Sequence, residues 1–218
     1  MAVRVLAVTA LLLAVAAAPA RAAALDPLEP CYVSTGPETE KREKVTVRGT
    51  DFLPNTAVEV LIDGTSVYRP STDAVGDFAV LVDAPYQPRG ERSFTLEVRD
   101  GVNWLAAQSR VTNLAVNVRP RRAPPSSRVR FRGRGFKETG PVYAHYLYGR
   151  KLQKTVRLAA GSNSPCGTFS VKRRQIPVEN ARTGNWTIQI DQKKAYDPQP
   201  DPVWVRLPIV VSETFGRF

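Results

Sequence analysis

Val45-Thr-Val-Arg-Gly-Thr-Asp-Phe52 and Val129-Arg-Phe-Arg-Gly-Arg-Gly-Phe136 are one phrase written twice in a chain of 218 residues. Each alternates apolar and polar residues, turns at a glycine and closes on an aromatic. Alternation with a period of two marks a strand with one buried face. The correspondence continues downstream in the same order. Ala57-Val-Glu-Val-Leu-Ile-Asp-Gly64 answers Tyr143-Ala-His-Tyr-Leu-Tyr-Gly149. Gly76-Asp-Phe-Ala-Val80 answers Gly167-Thr-Phe-Ser-Val171, and Phe94-Thr-Leu-Glu-Val-Arg-Asp100 answers Trp186-Thr-Ile-Gln-Ile-Asp191. An ordered set of matches means an internal repeat, and the repeat sets the architecture.

Turn-forming clusters separate the matched pieces: Leu53-Pro54-Asn55, Thr72 to Gly76, and Gly161 to Pro165. Short strands at regular spacing predict an all-β fold of two tandem sandwiches. The first runs over residues 25–112 and the second over 113–218. The Pro- and Arg-rich piece Arg119 to Ser127 then falls between the first two strands of the second sandwich. Its rival reading is a semi-rigid linker.

Residues 1–24 read as a signal peptide. Arg4 precedes an apolar run from Val5 to Ala18, and small residues follow, with cleavage expected after Ala22 or Ala24. The run is shorter than the roughly 20 residues a membrane span needs. No later stretch reaches that length, so no membrane span is expected. The chain is read as secreted or extracellular.

The residues also carry a family likeness. Val33-Ser-Thr-Gly-Pro37, followed by the Val45–Phe52 strand and its Gly-x-x-Phe, resembles the opening of bacterial immunoglobulin-like domains of the IPT/TIG type. Ser71-Thr-Asp-Ala-Val-Gly-Asp-Phe78 looks like the Thr-Asp-x-x-Gly-x-Phe turn of bacterial secreted modules. The second copy keeps Val118-Arg119-Pro120 and Gly133-Arg-Gly-Phe136 but has Pro165-Cys166-Gly167 at that turn. The resemblance implies fold, and it carries no catalytic residues over.

Charge is divided unevenly. The whole chain is +11. Residues 25–118 hold 9 Lys+Arg and 14 Asp+Glu, a net of −5, whereas 119–218 hold 20 and 6, a net of +14. Either the halves attract one another or the second faces a polyanion. The sharpest basic feature is Arg128-Val-Arg-Phe-Arg-Gly-Arg134. In a strand, Arg128, Arg130, Arg132 and Arg134 form a row with steps of roughly 6.6 Å. One reading is a track for phosphate, sulfate or carboxylate groups. The other is a solvated face, or an edge strand kept from aggregating by charge. Lys172, Arg173 and Arg174 form a second cluster, and three adjacent cations cannot all share one face.

Catalysis has little to rest on. The chain has one histidine and two cysteines, which excludes a Cys/His zinc site or an iron–sulfur cluster made by this chain alone. No Gly-x-Ser-x-Gly, His-Glu-x-x-His or phosphate loop occurs. Asp73 and Asp77 read as turn formers rather than calcium ligands, and Asp191, Asp197 and Asp201 read likewise. The parity of Tyr143-Ala-His-Tyr-Leu-Tyr148 is open. Either His145 points inward, or Tyr146 and Tyr148 do. No catalytic residue, metal or cofactor is expected.

Cys31 and Cys166 are an even pair in an exported chain, which predicts a disulfide. The bond would clamp the N-terminal segment onto the second sandwich. Closing so long a loop stabilises by roughly 4 to 5 kcal/mol in the chain-entropy model. The sequence thus predicts a secreted, non-enzymatic binding or structural module. Its partner is expected to be a cell-surface polymer, a glycan or another protein, and not a nucleic acid. A carbohydrate- or polyanion-binding module centred on the second sandwich is the alternative, and a small secreted hydrolase the third reading.

Overall fold

The computed structural model describes residues 22–199 and 203–211. The expected signal peptide therefore lies almost wholly outside the described residues, as does Asp201. Among the described residues there is no α-helix, only a 3-10 turn at Thr39–Lys41. No helix there is long and apolar enough to cross a membrane.

The first copy runs through β1 (Ala24–Leu25), β2 (Tyr32–Ser34), β3 (Lys44–Thr50), β4 (Glu59–Ile62), β5 (Thr65–Tyr68), β6 (Phe78–Asp83), β7 (Glu91–Arg99) and β8 (Trp104–Asn113). The second runs through β9 (Ala115–Arg119), β10 (Arg128–Arg134), β11 (Val142–Tyr148), β12 (Lys151–Ala159), β13 (Phe169–Arg174), β14 (Gly184–Asp191) and β15 (Trp204–Val211). The sheet orders repeat. In the first copy β1-β3-β6 faces β5-β4-β7-β8, and in the second β9-β10-β13 faces β12-β11-β14-β15. This two-sheet arrangement is that of immunoglobulin-like sandwiches. The one addition is β2, which joins the first copy by pairing in parallel with β8.

Alternation builds two cores. Val45 and Val47 of β3 pack with Phe94, Leu96 and Val98 of β7 in one. Val129 and Phe131 of β10 pack with Trp186, Ile188 and Ile190 of β14 in the other. Burying each large side chain of this kind contributes on the order of 2–3 kcal/mol.

The repeated phrase closes each sandwich in the same way. Phe52 meets Phe78 with ring centroids 5.4 Å apart, and Phe136 meets Phe169 at 5.4 Å. The Phe52 amide donates to the Gly76 carbonyl at 3.1 Å, and the Phe136 amide to the Gly167 carbonyl at 3.1 Å. Gly76 and Gly167 both have positive φ. A Cβ on either would come within 2.1 Å of backbone atoms of Phe52 or Phe136. Only glycine fits this turn.

The copies are joined at a junction that is partly covalent. Cys31, just before β2, is bonded to Cys166, in the turn before β13, with Cα atoms 5.2 Å apart. Beside it Lys137, from the loop after β10, crosses to the first copy. Its ammonium lies 2.8 Å from both the Glu29 and Glu43 carboxylates and donates to the Cys31 carbonyl at 3.0 Å. It also sits 5.5 Å from the centre of the Tyr32 ring.

Candidate polyanion-binding face

The outer side of β9-β10-β13 is built by register. Val129 and Phe131 enter the core, so Arg128, Arg130 and Arg132 face solvent. Across β13, Arg128 stands opposite Arg174, Arg130 opposite Lys172, and Arg132 opposite Ser170. Across β9, Arg130 stands opposite Arg119, and Arg132 opposite Asn117. Arg119, Arg128, Arg130, Arg132, Lys172 and Arg174 thus form a compact cationic face, all of them exposed. Among the described residues none of them makes an ion pair; the ion pairs lie elsewhere.

Of the rest of the predicted set, one residue stands at the margin of this face and one lies apart from it. Arg134 is half-buried at the margin of the face, where with Arg119, Arg132 and Glu91 it lines a cavity of about 440 Å³ between the copies. Arg173 occupies the opposite parity of β13, paired across from the core residue Val129. Arg119 was hidden from the sequence pattern because its place depends on a partner strand, not on spacing.

The first copy supplies an internal control. Gly49 pairs with Phe78 as Gly133 pairs with Phe169, which fixes the equivalences. Where the second copy sets Arg128 against Arg174, the first sets Lys44 against Asp83, and those two form an ion pair. Where the second sets Arg130 against Lys172, the first sets Thr46 against Leu81. The same sheet is therefore made without a cationic face. Like charges directly opposite one another are destabilising. Edge protection does not account for the row either, since β10 is the middle strand of its sheet.

The histidine question resolves in an unforeseen way. Ala144 and Tyr146 point into the core, so His145 lies on the outer face of β11. It is nonetheless wholly buried, because residues 192–199 fold back over it. The loop carries the Tyr196 ring to 5.6 Å from the imidazole. Nε2 faces two acceptors, the Asp191 carboxylate at 3.2 Å and the Lys193 carbonyl at 3.1 Å. Nε2 therefore bears a proton, and Nδ1 is hydrogen-bonded with the Thr155 hydroxyl at 2.9 Å. Burial alone would raise the Asp191 carboxyl. The bonds from His145, Gln189 and the Lys193 amide outweigh it and hold the carboxyl below its usual range. Asp191 accepts the Lys193 amide at 2.9 Å as an Asx turn does, and it is also a buried anchor for the loop. Asp197 forms a turn too, accepting from the Gln199 amide at 2.9 Å.

Beside this loop lies a groove of about 860 Å³ with Tyr196, Trp204 and Arg206 on its walls. The Arg206 guanidinium lies 4.7 Å from the centre of the Trp204 ring. That ring face is taken and does not offer a stacking platform. Asp73 accepts the amides of Val75 and Asp77, each at 2.9 Å, as an Asx turn does. Among the described residues no cluster of His, Cys, Asp and Glu has the makings of a metal site.

No family model matches the chain, and no curated protein matches it. Solved structures do. A tandem of titin immunoglobulin domains matches at 11% identity with a TM-score of 0.29, covering 86% of this chain and 94% of that one. The human OSCAR ligand-binding domain matches at 12% identity and a TM-score of 0.34, covering 87% and 96%. The SGBP-B protein of a Bacteroides ovatus mixed-linkage glucan utilization locus, in complex with a mixed-linkage heptasaccharide, matches at 16% identity and a TM-score of 0.28. That match covers 84% of this chain and 43% of the other. The immunoglobulin-like description of this chain rests on its own strand order.

Proposed function

We propose that this chain is a secreted, non-enzymatic binding module of the bacterial IPT/TIG type that holds an anionic cell-surface polymer. Its domains span residues 25–112 and 113–218, behind a signal peptide at 1–24. The observation that carries this reading is the cationic face of Arg119, Arg128, Arg130, Arg132, Lys172 and Arg174. It has no ion pair among the described residues, although the equivalent sheet of the first copy has Lys44 paired with Asp83. A cost in folding stability from opposed like charges is understandable where a ligand neutralises them. The acidic first domain then acts as a spacer that the polymer avoids. Cleavage after Ala22 leaves β1 whole, whereas cleavage after Ala24 removes half of it.

The test is binding of the full chain without residues 1–22 to sulfated and phosphate-bearing polymers across a salt series. Affinity should fall steeply with salt. Arg130→Ser with Arg132→Ser should weaken binding further. Failure of the protein to bind any such polymer at low salt would refute the proposal.

A further inference from the structure

The second sandwich contains a polar group that its fold does not use. Tyr146 projects from β11 into the core, and its ring is wholly buried. Its Oη is sequestered too, yet it meets no hydrogen-bond partner among the described residues. A buried hydroxyl left unpaired is costly, and native proteins rarely retain one without a reason. A phenylalanine would fill the same space without that cost.

Tyr146 borders a cavity of about 530 Å³ at one end of the sandwich, with its hydroxyl beneath the cavity surface. Arg128, Arg173 and Arg174 line it together with Tyr146, and no carboxylate is among its lining residues. Register explains the convergence. Arg128 and Arg174 face each other across β10 and β13, at the ends of those strands. Arg173 lies on the inward parity of β13, in line with Val171 and Phe169, and lines the cavity with Tyr146 while donating to the Lys172 carbonyl at 3.1 Å. Burial raises the Tyr146 phenol above its ordinary value, and nearby Arg173 only partly offsets this. The phenol therefore stays a proton donor throughout the physiological range.

We infer that this cavity binds a single oxyanion group, a sulfate, phosphate or carboxylate, with guanidinium groups of Arg128, Arg173 and Arg174 at its mouth and the Tyr146 hydroxyl donating from its floor. Charge-assisted bonds from guanidinium groups with a neutral O–H donor suit such a group in both charge and geometry. The inference deepens the proposed polyanion reading and shares Arg128 and Arg174 with it. The cationic face supplies long-range attraction, whereas the cavity reads one anionic substituent. That substituent is either free in solution or carried by the polymer.

The test is a titration of the full chain with inorganic sulfate at constant ionic strength, followed by NMR on the arginine side-chain Nε–H signals. A parallel arm uses a sulfated polymer. Sulfate should shift the Arg173 signal saturably. Tyr146→Phe, which removes an unpartnered hydroxyl and keeps the ring, should weaken sulfate binding about tenfold. Arg173→Gln, at an exposed side chain, should weaken it at least as much. Arg130→Ser should weaken polymer binding by a larger factor than sulfate binding. If the Arg173 signal does not move, or Tyr146→Phe binds sulfate as tightly as the native protein, the cavity is not an anion site. Polymer binding that persists in that case leaves the cationic-face reading standing. Loss of both arms refutes the two together.

Discussion

The ammonium of Lys137 lies 2.8 Å from the Glu43 carboxylate, and the two residues belong to different sandwiches. Glu43 in turn accepts the Val33 amide at 2.7 Å, so the same carboxylate also braces the strand that follows Cys31. The contact between the two sandwiches and the addition of β2 to the first sheet are one structure.

Lys137→Met should loosen this junction. Burial by itself lowers the lysine's affinity for its proton. The bonds to Glu29 and Glu43 outweigh that and raise it above 10.5. A raised value contributes stability that is present at and below 10.5 and is lost as pH climbs through the folded value. The variant should be about 1–2 kcal/mol less stable near neutral pH, since its partners are partly exposed. Urea denaturation should show the gap between native protein and variant closing in strong alkali.

Lys172→Glu should separate folding from binding. It places a carboxylate opposite Arg130, turning a repulsive pair into an attractive one. Stability should rise by about 0.5 kcal/mol. Affinity for anionic polymers should fall at the same time, with a shallower dependence on salt. A variant that binds as tightly as the native protein would place the polymer elsewhere.

Gly76→Ala and Gly167→Ala should be equally damaging, although the flanking residues differ. Each introduces a Cβ that meets the neighbouring backbone at 2.1 Å, at a residue with positive φ. Each should cost about 3 kcal/mol. Thermal denaturation that spares one variant would mean that the two turns are not equivalent.

Asp100 is the residue of the first sandwich through which acid should act. Burial alone would raise its carboxyl. It accepts the amides of Asn103, Leu53 and Val102 and the Asn103 side chain, and these bring it down to about 2. The stability it contributes is present above the ordinary value of 3.8 and is lost as pH falls through about 2. Asp100→Asn should cost about 1 kcal/mol near neutral pH after solvent screening, and nothing at the acid extreme. Melting midpoints measured across pH check both halves.

The architecture was legible because the repeat is carried by local pattern. Val45 to Phe52 and Val129 to Phe136 encode both a strand and the turn that closes it, and strand order follows from the repeat. The arginine row of β10 was legible for the same reason, since period two fixes a common face. Arg119, Lys172 and Arg174 join it only through pairing, and pairing registers are not written in spacing. His145 shows the limit most clearly. Aligning Gly64 with Gly149 misleads by one residue. Val60 and Ile62 pair with Val98 and Leu96 as Ala144 and Tyr146 pair with Ile190 and Ile188. The outward parity was then masked by a loop whose path no periodicity describes.

The Cys31–Cys166 bond spans 135 residues of sequence and changes how the molecule bears load. Tension applied between the segment before Cys31 and the cationic face has a covalent shortcut. It passes from Cys31 through the sulfur bridge into the turn at Cys166 and on along β13, where Lys172 and Arg174 stand. Strands β2 to β8 lie outside that route. A pull on the chain just ahead of Cys31 is thus delivered to the second sandwich without passing through β2–β8, which become a slack side loop in the mechanical circuit, and β1 is the one strand of the first copy on the loaded side. Under reducing conditions the same pull must travel through β2–β8 in series, and the first sandwich becomes the element that yields.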